Sequence, residues 1–211
     1  MLLHVVFTRF KFDDKELMKK YLDVTKKFLI PSLISQTCKN FKWLVMVGDD
    51  DIEFLKYELN FDFTPIKDFD HYFSYVKDNN ISIQTRHDCD DTMSKDYIQK
   101  IQDTYNENKE LYDIFLIQSQ PKKLLYGKGN TKRWINFKVA PFHNKRTSMH
   151  LSLCQKNINH SIFDRGHGQM WQLTDNIIDI GGGYTEWVLH GENISSKSAG
   201  YQRRIKKING N

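Results

Sequence analysis

The chain is short of cysteine, proline and long apolar runs, and each shortage excludes something. Cys38, Cys89 and Cys154 are odd in number and lack C-x-x-C spacing. Neither a disulfide framework nor a zinc knuckle is therefore implied, and a reducing compartment is the natural setting. Four prolines merely punctuate the chain, and no repeat or low-complexity segment interrupts it. The opening MLLHVVFTRFKF has no positively charged lead-in, and its apolar run is too short for a signal peptide or a membrane span. The expected location is the cytoplasm, where the sequons at Asn159 and Asn193 carry no meaning. The formal charge of +5 is only mildly basic. It suits a phosphate-bearing ligand, whereas the acidic clusters would repel a nucleic-acid backbone.

What remains is an ordinary globular composition: 211 residues, 39% hydrophobic and 27% charged, enough for one domain with a sizeable core. Aromatics, at 13%, suffice for both a core and a ligand cleft. The first half alternates strand and helix patterns. Strands are expected at Leu2 to Phe7, Phe41 to Val47 and Ile81 to Thr85, with a weaker one at Tyr72 to Val76. Helices are expected over Lys15 to Ser35, kinked at Pro31, over Ile52 to Leu59, and over Ser94 to Asn106 with Ser94 or Thr92 as cap. Such alternation predicts an α/β fold with a mostly parallel sheet. The second half is less regular: short strand-like pieces at Tyr112 to Gln118, Leu124 to Tyr126, Trp134 to Val139 and Met149 to Leu153. A helix over about His167 to Thr174, a Gly181-Gly182-Gly183 turn and a run from Tyr184 to Leu189 follow.

Ligands of open parallel sheets sit at the carboxyl ends of the strands. Three expected strands end in polar groups there: Thr8-Arg9, Asp49-Asp50, and the stretch Arg86 to Asp91. One cleft follows from that convergence. In Gln84 to Met93, "QTRHDCDDTM", like charges this close raise one another's pKa unless a cation neutralises them. Asp88 and Asp90 are one residue apart, so in an extended segment both point the same way. Two hard oxygen ligands on one face suit Mn²⁺ or Mg²⁺ bridging to a diphosphate. The competing reading is an Asx-rich turn that caps the next helix, with Asp91 as the capping residue.

The order V-V-F-T-R-F, I-P-S-L-I-S-Q-T, F-K-W-L-V-M-V, T-R-H-D-C-D-D and W-V-L-H-G-E-N-I-S resembles the putative rhamnosyltransferase family, nucleotide-sugar glycosyltransferases of the A fold. The resemblance runs from about Val5 to Ser195, and its specific pieces are the patterns T-R-x-D-x-D-D and W-x-x-H-G-x-N. It implies a single glycosyltransferase domain over residues 1–196, with a nucleotide-sugar half (1–110), an acceptor half (111–196) and a basic tail (197–211). It implies that Thr8, Arg9, Asp49 and Asp50 hold the nucleoside, and that Asp88 and Asp90 hold Mn²⁺ or Mg²⁺ on the donor diphosphate. His190 then completes the metal site, and Arg86 and Lys197 face the diphosphate.

An inverting enzyme also needs a carboxylate to take the acceptor proton. The family's usual Glu-Asp pair is absent, which leaves Asp164 as first choice, then His167 and Glu186. The donor is a nucleoside-diphosphate sugar, with rhamnose suggested by the family's name. The acceptor is a glycan or a lipid-linked glycan, with at most peripheral membrane contact through the tail. Two other classes stay open. Clustered aspartates also build nucleotidyl or phosphoryl transferases and nucleases, and the same fold serves non-catalytic nucleotide-sugar-binding modules.

Overall fold

The computed structural model describes residues 4–126, 132–135 and 150–189. The first half comprises β1 (His4–Arg9), α1 (Lys15–Lys27), α2 (Leu29–Ile34), β2 (Lys42–Met46), α3 (Ile52–Leu59), β3 (Thr64–Ile66), α4 (Phe69–Asp78) and β4 (Ile83–Arg86). Then come β5 (Thr92–Met93), α5 (Tyr97–Asn108), β6 (Ile114–Tyr126), β7 (Lys132–Ile135), β8 (Leu151–Gln155) and β9 (Ile177–Leu189). Among the described residues they form a nine-stranded sheet in the order β3-β2-β1-β4-β8-β6-β9-β5, with β7 on β6.

The expected α/β class is the one observed. β1 pairs in parallel with β2 and β4, and β2 with β3. The carboxyl ends of these strands therefore share one edge. Parallel pairing returns between β6 and β9, while β8 runs antiparallel between β4 and β6. Alternate residues of β1 feed two cores. Val6 and Phe10 join Trp43, Leu29, Leu33, Leu55 and Ile101 beneath α1, α2, α3 and α5. Val5 and Phe7 join Leu44, Tyr72, Val76, Ile162 and Met170 on the opposite face.

Several expected boundaries move, each for a local reason. The long first helix breaks at Phe28 and restarts, so Pro31 lies in the first turn of α2. Proline lacks the N–H that would reach the carbonyl four residues back and its ring clashes with that carbonyl, which places the break ahead of it. Tyr72 to Val76 is helical. Asp68 caps α4 by accepting from the His71 N–H, and Tyr72 and Val76, four apart, both turn into the core. Neither Ser94 nor Thr92 caps α5. Its Ile98 N–H is met by Oε1 of the buried Gln36, whose Nε2 bonds the Ser32 and Ser94 carbonyls. The two strands expected between Tyr112 and Tyr126 are one continuous β6. The triple glycine is a bulge inside β9 rather than a turn between elements. Gly181 and Gly183 have φ of +82° and +98°, opposite the register shifts of β6.

Candidate active site

Every described candidate from the first half lies along the shared carboxyl edge. The parallel registers set Arg9 opposite Met46 and Phe7 opposite Arg86, so the residues following β1, β2 and β4 stand side by side. Arg9 is exposed. Thr8 is buried, and its Oγ1 accepts from Trp43 Nε1 at 2.9 Å, so its side chain supports the edge from below. Asp49 and Asp50 lie exposed in a 3₁₀ turn after β2. Asp49 is 3.5 Å from Lys67 Nζ, brought in by β3, and Asp51 ties the turn to Lys15 on α1.

The Asp88–Asp91 stretch is a tight turn, not the extended segment expected, with the Asp91 N–H on the Asp88 carbonyl at 3.3 Å. Cys89 points into the core, and its carbonyl accepts from Thr25. The turn gives the three carboxylates different surroundings. The Asp88 side chain is 41% exposed and 3.7 Å from Arg86 Nε. Asp90 is mostly covered, and Asp91 is fully buried. Asp91 is a clamp: Oδ1 accepts the Val188 N–H of β9 at 2.9 Å, and Oδ2 lies 3.5 Å from His150 Nε2 ahead of β8.

Burial, with the charges of Asp90 and Asp88 next, pushes the Asp91 carboxyl well up, and the Val188 N–H pulls the other way. His87, buried 5.3 Å from the His150 ring, is pushed down to about 4 by burial. The negative charge of Asp88 and the Asp91 carbonyl only partly oppose that shift. This half of the motif is thus built into the protein, and Asp88 and Arg86 face outward from it.

The later candidates fall in two places. Glu186, on β9, stands opposite Thr92, the residue after Asp91. Asp164 lies in the loop between β8 and the 3₁₀ turn that His167 opens, on the α4 side of the sheet. Phe163 packs against Phe7 and Tyr72, with Phe69 and the Arg86 guanidinium also against its ring. Phe163, the residue before Asp164, is thereby the one that lies against Arg86. His190 and Lys197 lie outside the described residues, as does the 197–211 tail.

Sequence reasoning missed the Asp91–Val188–His150 clamp, because a single chain gives no sign of which strand a buried acid will meet. It also missed His160, whose Nδ1 is 3.1 Å from Asp164 Oδ2. The four-residue spacing was the available signal.

Among the described residues no three His, Cys, Asp or Glu side chains converge as a metal site. Asp88 offers exposed hard carboxylate oxygens at a strand end, and Asp90, mostly covered, is a second carboxylate two residues on. That donor set fits Mg²⁺ or Mn²⁺, which such sites bind through one or two carboxylates while substrate phosphates and water complete the shell. Among the described residues, no helix is long and apolar enough to cross a membrane.

The model of the putative rhamnosyl transferase family matches residues 74–202, more than half of the chain. Among solved structures, Staphylococcus aureus TarS 1–349 in complex with UDP-GlcNAc is similar over 99% of this chain, with a TM-score of 0.55 and 12% identity. This chain spans 65% of the length of that one. A CMP:2-keto-3-deoxy-manno-octonic acid synthetase complexed with CTP is similar over 99% of this chain and 98% of its own, with a TM-score of 0.50 and 8% identity. At these identities the likeness is one of fold. A comparison with curated proteins gives no match.

Proposed function

Since the chain belongs to the putative rhamnosyl transferase family, we propose that it moves a sugar, rhamnose by the family's name, from a nucleoside diphosphate to an acceptor hydroxyl. The observation that carries this reading is the carboxyl edge itself. Arg9, Asp49, Arg86 and Asp88 line it, and Asp91 joins it to Val188, two residues before His190. In this reading Asp49 and Arg9 face the nucleoside and Arg86 faces the diphosphate. Asp88 and Asp90 would hold a divalent cation, with His190 as a further ligand and Lys197 as a further diphosphate contact.

The chemistry such an ion supplies is neutralisation of the charge that develops on the departing diphosphate. Arg86 adds to it from a position next to Asp88, and its stack on Phe163 keeps the guanidinium from swinging away. Asp164 takes the proton of the acceptor hydroxyl as that oxygen bonds to the anomeric carbon and the carbon–diphosphate bond breaks. The acceptor is a glycan or a lipid-linked glycan.

The synthetase complexed with CTP shares this fold over nearly its whole length, so fold alone does not separate sugar transfer from nucleotidyl transfer. The family match favours sugar transfer.

A thermal-shift panel of UDP, CDP, GDP and dTDP, each with and without Mn²⁺, tests the reading. Stabilisation by at least one diphosphate is expected only with the metal. It should be lost in Asp88→Asn and Asp90→Asn, since altering groups that only support a metal's ligands already weakens binding by about 10–100-fold. Metal-independent binding that survives both substitutions would remove the metal role.

A further inference from the structure

The loop that carries Asp164 is held far more firmly than an exposed connection requires. Two buried glutamines hold it from the sheet. Gln84 of β4 donates Nε2 to the His160 carbonyl at 3.0 Å, and its Oε1 accepts the Ile162 N–H and the Tyr72 hydroxyl, each at 3.1 Å. Gln155, at the end of β8, donates to the same His160 carbonyl at 2.6 Å and accepts the His160 N–H at 3.1 Å. Phe163 then wedges between Phe7 and Phe69, with ring centroids 4.6 and 4.8 Å away. Buried amides with every polar atom engaged specify one geometry. What they fix is the backbone from His160 to Ile162, which leads into Phe163 against Arg86 and then into Asp164.

Within that frame His160 Nδ1 and Asp164 Oδ2 are 3.1 Å apart, and both side chains are partly exposed. An ionised carboxylate only accepts, so Nδ1 carries the proton and the imidazole donates. We propose that His160 is the positioning residue of Asp164. Its Nδ1–H holds one carboxylate oxygen so that the other is turned to the acceptor hydroxyl. This rests on the glycosyltransferase reading above and deepens it. In the step itself the hydroxyl proton passes to Asp164, the acceptor oxygen bonds to the anomeric carbon, and the electron pair of the broken bond leaves on the diphosphate. His160 exchanges no proton. It supplies orientation, the kind of contribution that a misplacement of about 1 Å can cost 100-fold in rate.

The test is hydrolysis of dTDP-rhamnose and of UDP-GlcNAc with Mn²⁺, water standing in for the acceptor, with kcat and KM resolved. Asp164→Asn should lower kcat by about 100-fold or more, the scale of general-base catalysis. His160→Ala should lower kcat by about 10–100-fold with KM and nucleoside-diphosphate affinity unchanged. His160→Asn, whose side-chain N–H can stand near the place of Nδ1–H, should restore most of the rate. The double variant His160→Ala, Asp164→Asn should be no slower than Asp164→Asn alone, because His160 acts only through that carboxylate.

A merely structural His160 would move melting temperature and KM and would not show this pattern. Wild-type kcat in His160→Ala overturns the proposal, as does a double variant well below Asp164→Asn. So does a His160→Asn variant as slow as the alanine one when added imidazole rescues His160→Ala, since His160 would then be the base itself. In those three outcomes the transferase reading stands. If the wild type neither hydrolyses nor binds either nucleotide sugar, the transferase reading falls and takes this inference with it.

Discussion

Lowering the pH should destabilise this protein with a slope that one substitution, His4→Gln, makes shallower. His4 is buried at the start of β1. Its Nε2 faces Thr85 Oγ1 at 2.7 Å and its Nδ1 faces the Gln102 amide Nε2 at 3.4 Å. The amide donates, so Nδ1 accepts and Nε2 carries the single proton. A second proton on Nδ1 would point at another donor in a buried site. Burial accordingly pushes the imidazole down to about 3. In the unfolded chain the same ring titrates near ~6.5.

Between those values the unfolded state holds a proton that the folded state refuses, so stability falls as pH drops. The loss is ~1.4 kcal/mol per pH unit for one proton. By pH 4.5 that is about 3 kcal/mol, a large part of the ~5–15 kcal/mol that holds a typical domain together. Urea unfolding followed by tryptophan fluorescence at pH 7.0, 5.5 and 4.5 measures it in metal-free protein. His87, pushed down to about 4, adds a similar slope to both proteins and cancels from their difference. His4→Gln carries a fixed penalty of its own at every pH, but the gap between the two proteins should close by about 3 kcal/mol between pH 7.0 and 4.5. Parallel curves for wild type and variant would refute the reasoning.

Asp91→Ala leaves the Val188 N–H without its buried acceptor and should destabilise by about 1–3 kcal/mol. Asp91→Asn keeps an acceptor and removes a carboxyl that burial pushes up. Ionisation of that carboxyl weakens the fold as pH rises, so the asparagine variant should melt no lower than wild type at pH 7. A lower melting point for both, read by calorimetry, would mean the charge itself is needed. Asp49→Ala, by breaking the exposed pair with Lys67, should leave stability within about 0.5 kcal/mol yet narrow the difference in affinity between pyrimidine and purine diphosphates. Equal weakening for all bases, by calorimetric titration, argues against a base contact. His190→Ala should reduce Mn²⁺-dependent donor binding while the metal-free melting temperature stays put. A variant that melts much earlier but keeps full activity when folded makes His190 structural.

What the sequence by itself determined is whatever short-range chemistry controls. Continuous apolar runs made β1, β2 and β4, and strand-helix alternation made them parallel, which alone puts Arg9, Asp49 and Arg86–Asp91 on one edge. The motifs in their order already implied the family. Local patterns misled where two periods compete: Tyr72 and Val76 read as strand because aromatic and β-branched residues favour it, until the Asp68 cap and four-residue spacing decide for a helix.

Only the tertiary structure decided how three adjacent aspartates differ. Asp88 faces outward and Asp91 is buried against β9 because a turn, not a strand, carries them, and a turn's side chains point where distant partners receive them. The same holds for Gln36 capping α5 across about 60 residues of chain and for the two glutamines that hold the Asp164 loop. Each of those contacts depends on which strands become neighbours. That follows from burying both faces of one sheet at once, a condition no local stretch of residues contains.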